Sequence, residues 1–228
     1  MLCSVNLKPG AGGGVNYGGQ NIDCFVGANT DNTGLSSLVV AELGEIFMGK
    51  QNKGWVLNWS NGEALSKVLA TVLYPQIANR WSNGNDWLNN ARPDWINHVE
   101  HTDQNGVSTG CGTLFLNYLA HELSYSWQQI IVAGALPGQT LADTANHLGL
   151  ANAFSGFKAL LDKHFPPGQP TALPDDNPFP LEAHPGKIKI RLPVWWHRVF
   201  PPELWGPYGP WGRIRNVFSL ILRFFGGR

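Results

Sequence analysis

Between residues 35 and 48 the apolar side chains Leu35, Leu38, Val39 and Ile46 recur at three- and four-residue intervals, the period of one helix face. Glu42 falls at the centre of that apolar arc. Burying an ionised carboxylate costs several kcal/mol unless it is paired, protonated or bound to a cation, so whatever packs on this helix must accommodate an acid. The spacing predicts a long helix over 35–48, stopped at Gly49. Glu45, one turn on, sits at the edge of the same face, and Glu63 follows eighteen residues later at the start of the next predicted helix. If the two helices pack together, three carboxylates converge.

The remaining pattern is also mainly helical. Ser60-Asn61-Gly62-Glu63 has the capping-box form and opens a helix that Pro75 terminates. A further helix is expected over 112–123, another from the capping-box match Ser126-Trp127-Gln128-Gln129 through Ala133, and a short one from Thr140 with Asp143 as its reciprocal partner. A last helix over 153–164 ends before Pro166-Pro167-Gly168. Residues 76–110 carry Trp81, Trp87 and Trp95 among Asn, Gly and Pro, which reads as irregular chain pinned by aromatic anchors, with one short helix near Asp86 to Asn90. Residues 8–34 are rich in Gly and Asn around a β-like run from Ile22 to Val26, and read as loops with one or two strands. The expected architecture is therefore mainly α, with a small N-terminal β element and an irregular C-terminal tail. Residues 1–34 form a Gly/Asn-rich remnant, 35–165 the helical domain, 166–186 a Pro-rich linker and 187–228 the tail.

At 43% apolar residues the chain is too hydrophobic for disorder, and its formal net charge of zero argues against a general nucleic-acid binder. That zero averages two unlike pieces. Residues 1–185 hold eight basic and fifteen acidic side chains, net −7, and residues 186–228 hold eight basic and one acidic, net +7. The tail carries four of the ten Trp, and its segment from Trp211 to Phe225 places Ile214, Val217, Phe218, Ile221 and Phe225 on one helical face. Three readings follow: a basic amphipathic helix suited to an anionic membrane surface or a partner groove, an arm packing its aromatics on the acidic body, or a tail without function. No apolar run long enough for a transmembrane helix occurs, and the N-terminus lacks the basic start and apolar core of a signal peptide. This predicts either a cytoplasmic protein or a missing leader.

Gly110-Cys111-Gly112 precedes an apolar run, so Cys111 at a helix N-terminus would be an alternative nucleophile favoured as thiolate, against a small buried Cys chosen for close packing. The three cysteines Cys3, Cys24 and Cys111 form neither a metal cluster nor a disulfide framework. His98-Val99-Glu100-His101-Thr102-Asp103 contains metal-capable side chains but has no helical or strand frame, so a solvated loop is favoured. His121-Glu122-Leu123-Ser124-Tyr125 begins like a zinc motif, with Tyr in the second His place. No phosphate-binding glycine motif is present, and no phosphate-dependent cofactor is expected.

The strings Ala41-Glu42-Leu43-Gly44-Glu45 and Asn61-Gly62-Glu63-Ala64-Leu65 resemble the architecture of gluzincin metallopeptidases, in which H-E-x-x-H lies on one helix and a third ligand, Glu, on the next. The resemblance places Glu42 as the general base and Glu45 and Glu63 as metal ligands; the cofactor expected is a divalent metal, zinc or calcium, or none. Ala41 replaces the first His and Glu45 the second, so two of three zinc ligands have changed type. More closely, segments 40–48, 61–70, 92–95, 107–119, 126–127 and 157–161 resemble recurring segments of an uncharacterised bacterial and fungal family, often secreted. That resemblance covers roughly residues 35–180 and implies a zincin-like helical domain, extracellular, with no established reaction.

Two functional classes follow. One is a metallopeptidase-like hydrolase or its degenerate descendant, with Glu42 catalytic and Glu45 and Glu63 as ligands. The other is a binding module in which the Trp-rich 55–95 region presents aromatic faces to a carbohydrate or peptide. Each acid also has a structural alternative. Glu63 is accounted for by a capping box with Ser60, Glu45 by a solvated position beside Lys50 or Lys53, and Glu42 by a buried hydrogen-bond acceptor role.

Overall fold

The computed structural model describes residues 3–7, 11–16, 21–27 and 30–182. The basic tail, 187–228, and the amphipathic helix expected within it lie outside the described residues. Among the described residues no helix is long and apolar enough to cross a membrane.

The chain opens with three strands, β1 (Cys3–Leu7), β2 (Ala11–Asn16) and β3 (Asn21–Val26), where the sequence suggested one or two. They form a mixed sheet in the order β1-β3-β2, with β1 parallel and β2 antiparallel to β3. Ile22, Cys24 and Val26 are buried while Asp23 is exposed, the two-residue alternation of a strand with one covered face. The Gly-rich sequence of β2 hid it from pattern reading, since glycine carries no alternation.

Helix α1 (Asn32–Lys50) packs against both the sheet and helix α2 (Ser60–Leu73). Asp31 caps α1, accepting from the Gly34 N–H at 2.7 Å. The helix is covered on every side from Ser36 to Gly44, because the sheet lies on one flank and α2 on another. The apolar arc read from the sequence is thus part of a belt around the whole helix, and Glu42 lies inside that belt.

The second half of the body is helical. Short helix α3 (Gly84–Leu88), α4 (Gly106–Asn117), continued by a single π turn over Tyr118–Glu122, α5 (Trp127–Ala133), α6 (Leu141–His147) and α7 (Ala153–His164) follow in order. Their shared core centres on Trp87, Phe115 and Phe157, with Phe115 and Phe157 edge to face at 5.3 Å between centroids. The capping boxes at Ser126 with Gln129 and at Thr140 with Asp143 both form. Helix α4 starts six residues before the expected 112, with Asn105 as its cap. Gly110 explains why loop-like sequence is helical there: a Cβ at that position would strike the Asn83 carbonyl, so glycine lets α4 pass close to the chain entering α3.

The Pro-rich segment read as a linker lies along the body as far as Glu182. The Asp176 carboxylate accepts from Ser82 Oγ at 2.5 Å, Gly84 N at 2.6 Å and Asn83 N at 3.1 Å, while Asn85 exchanges two hydrogen bonds with the backbone of Leu173. Phe179 is buried against Tyr118. Glu122 Oε2 accepts from Leu181 N at 2.6 Å, so the acid of the His121-Glu122 pair fastens this strap.

Candidate functional site

Helix α1 presents Glu42 and Glu45 one turn apart, and α2 brings Glu63 to them. The Ser60–Glu63 capping box does not form. Trp59, which has no side-chain cap bond, is the N-cap of α2, and Ser60 is already helical. The Ser60 hydroxyl instead accepts from Glu100 N at 3.2 Å, and Ser60 N donates to Glu100 O at 3.0 Å. Glu63 is therefore free of the structural duty its sequence context suggested. It pairs with Lys67 at 3.3 Å and shares a side-chain hydrogen bond with Glu45.

Glycine again sets the geometry. A Cβ on Gly62 would collide with the Val56 carbonyl, so the first turn of α2 can lie against residues 54–56 only without one. Asn61 reinforces the contact by donating to the Gly54 carbonyl. The start of α2, and with it Glu63, is thereby fixed in place.

Glu42 is only 8% exposed. Burial, followed by the charges of Glu63 and Asp103, pushes its carboxyl up to about 7 from the ordinary 4.5. Among the described residues its carboxyl makes no hydrogen bond. Glu45 is half-buried, with neither Lys50 nor Lys53 as a partner; Lys53 donates to the Val132 carbonyl. Burial and then the charge of Glu42 push the Glu45 carboxyl up to about 9, and its hydrogen bond to Glu63 adds to the rise. Burial and the neighbouring acids thus favour the protonated form of Glu45. The three acids named from the sequence lie near enough to act on one another electrostatically, and Lys67 is ion-paired with Glu63.

A fourth acid joins them. Asp103 acts on both Glu42 and Glu45, although it lies in the irregular segment ahead of α4. Sequence reasoning set that segment aside because nothing local frames it. Its frame comes from α2: the backbone of Glu100 pairs with Ser60, the Glu100 carboxylate takes Asn105 Nδ2 at 3.0 Å, and His101 stacks on Trp59 at 4.0 Å. The signal that could have found Asp103 was its place two residues before the Asn105 cap, in the acid-bearing run Glu100-His101-Thr102-Asp103.

Other expectations change. Cys111 is the sixth residue of α4, not at its start, and is fully buried. Burial pushes its thiol far up, so neither the helix terminus nor thiolate character is available for nucleophilic attack. Trp55 and Trp87 are buried in the core and offer no face to a ligand. Of the Trp-rich region, Trp59, Trp81 and Trp95 retain partial exposure.

The zinc implied by the gluzincin resemblance does not fit these residues. Ala41 offers no donor, and Glu45 and Glu63 are bonded to each other. His98 is exposed and bonded to the Asp94 carbonyl, while His101 is stacked on Trp59. Zinc sites combine carboxylates with imidazole or thiolate donors, and the cluster supplies no imidazole or thiolate. As the side chains lie, no three His, Cys, Asp or Glu among the described residues are arranged to hold an ion. No family model, curated protein or solved structure matches the chain.

Proposed function

We propose that this chain is a metallopeptidase-like, zincin-like domain in which a carboxylate cluster occupies the place of the histidine-based zinc centre, making it degenerate as a zinc enzyme. The observation that carries this reading is the mutual electrostatic action of Glu42, Glu45 and Glu63 from two consecutive helices, with the capping role that would have claimed Glu63 absent. Glu42 is the working group. A carboxylate poised near neutrality and making no hydrogen bond among the described residues is able to take a proton from water beside it, the task of a general base in hydrolysis. Glu45 and Glu63 form the acidic floor of the site. No step through zinc is assigned.

A peptide-hydrolysis screen with the full chain and its Glu42→Gln variant tests the reading. Turnover that disappears in the variant while the circular dichroism spectrum is unchanged supports it; wild-type turnover retained in Glu42→Gln refutes it. The binding-module alternative rests now on the Trp59–His101 stack at the edge of the cluster. It predicts a peptide or carbohydrate affinity that Trp59→Ala removes and Glu42→Gln leaves intact.

A further inference from the structure

Helix α3 begins after Asn83, a residue type that ordinarily caps a helix with its own side chain, yet Asn83 makes no cap bond of that kind. The cap comes from outside. The Asp176 carboxylate on the strap accepts from Asn83 N at 3.1 Å and Gly84 N at 2.6 Å, so an acid 93 residues along the chain takes donors that the start of α3 leaves open. Glycine makes the approach possible, since a Cβ on Gly84 would stand 2.7 Å from Asp176 Oδ1. The Asn83 side chain is thereby released for another use. Its Nδ2 donates to Asp86 Oδ2 at 3.0 Å, and its Oδ1 accepts from Lys67 Nζ at 2.5 Å. Chemistry fixes the orientation of this carboxamide, because only its oxygen can meet an ammonium and only its nitrogen a carboxylate.

Lys67 is the ion-pair partner of Glu63, one turn along α2, at 3.3 Å. A lysine free to move gains little from such a pair, because holding a long side chain in one geometry costs rotamer freedom. Here a second acceptor on a different element pins the ammonium, and the side chains of Lys67 and Glu63 are only 22% and 20% exposed. Asn83 itself has no slack. Its N–H is held by Asp176, its carbonyl accepts from Asp86 N at 3.0 Å, and Gly110 lets α4 close over that carbonyl. We infer that Asp176 and Asn83 are positioning residues for the candidate site: the strap caps α3 from outside, and the asparagine set free by that cap holds the Lys67 ammonium beside Glu63. Departure of the strap returns the Asn83 oxygen to the bare start of α3, where an asparagine cap belongs, and Lys67 loses its second acceptor. Docking of the strap and the placing of a cation beside the acids are thus linked. The inference rests on reading the acids of α1 and α2 as the working centre of the domain, but it concerns how a neighbouring charge is held and not the reaction.

The test follows the ε-methylene of Lys67 by NMR in the full chain, its signal assigned by its loss in Lys67→Met. The two ε protons are inequivalent while the ammonium is pinned and merge once it moves freely. They are expected to be resolved in the wild type and to merge in Asn83→Ala and in Asp176→Ala, although Asp176 acts on Lys67 through Asn83. Lys163→Met, which removes the exposed ion pair to Glu182 on the strap, is expected to leave them resolved. A role of Asp176 confined to stability would lower the unfolding midpoint and leave the Lys67 signals as they were. Merged signals in the wild type, resolved signals in folded Asp176→Ala, or merging in Lys163→Met as well overturns the inference. Should Asp176→Ala fail to fold, Asp176→Asn, which keeps one acceptor oxygen, and Asn83→Ala, which keeps the outside cap, carry the comparison, and signals unchanged in both refute it. Loss of the Lys67 splitting in Asp176→Ala, with no peptide hydrolysis by the wild type, would defeat the hydrolase reading and leave the linkage standing; peptide hydrolysis with Lys67 unmoved by Asp176→Ala would do the reverse.

Discussion

Replacing Glu42 by Gln should stabilise the protein, and by an amount that depends on pH in a defined way. The native carboxyl is held at about 7 against an ordinary 4.5, so the folded state keeps its proton where the unfolded state has lost it. A raised carboxyl destabilises the fold as pH climbs above the unfolded value; the loss accumulates between about 4.5 and 7 and is constant beyond. A displacement of about 2.5 pH units at about 1.4 kcal/mol per unit gives about 3 kcal/mol at neutral pH as an upper bound. Gln keeps the shape and removes the charge. Urea unfolding of wild type and Glu42→Gln at intervals from pH 4 to pH 8 checks it. The two curves should nearly coincide at the acid end and separate progressively, with the variant more stable at pH 7. A difference that is flat across this range, or a variant less stable at pH 7, would show that Glu42 has a compensating partner and would refute the reasoning.

Further outcomes follow from the geometry. Ser60 and Glu63 are not partners, so Ser60→Ala and Glu63→Gln should have additive effects on stability; a capping box would couple them by about 1 kcal/mol in a double-mutant cycle. Asp176→Ala removes the acceptor of three hydrogen bonds at the start of α3 and should cost about 3 kcal/mol in urea unfolding, with faster proteolysis of the 165–182 strap. Cys111, fully buried, should react with a thiol alkylator only as fast as the protein unfolds, and prompt modification at neutral pH would contradict the packing of α4.

Much of the helical body was legible because its signals are local. Ser126 and Thr140 with their reciprocal partners, and the stop at Pro166-Pro167, fixed helix ends that need no distant contact. Glu42 was legible for the same reason, since a carboxylate in an apolar stripe is conspicuous along the chain. What failed depended on contacts remote in sequence. Ser60-x-x-Glu63 has the form of a cap, but Glu100, forty residues on, claims the serine. Gly110 and Gly112 read as loop because their value lies in the close approach of α4 to Asn83 and Ala64, which no local window contains. Asp103 carried no periodic signal at all and joins the cluster only through the pairing of its segment with α2.

The claim that α1 and α2 bring their acids into one electrostatic unit is tested most directly by carbon-detected NMR titration of the glutamate side chains, for the wild type and Glu63→Gln. Glu45 is expected to titrate near 9 in the wild type and to fall when Glu63 loses its charge, since that charge and the shared hydrogen bond both contribute to its position. Titration of Glu45 near 4.5, unchanged by Glu63→Gln, would mean that the carboxyls do not act on one another, and the candidate site would dissolve into three unrelated acids.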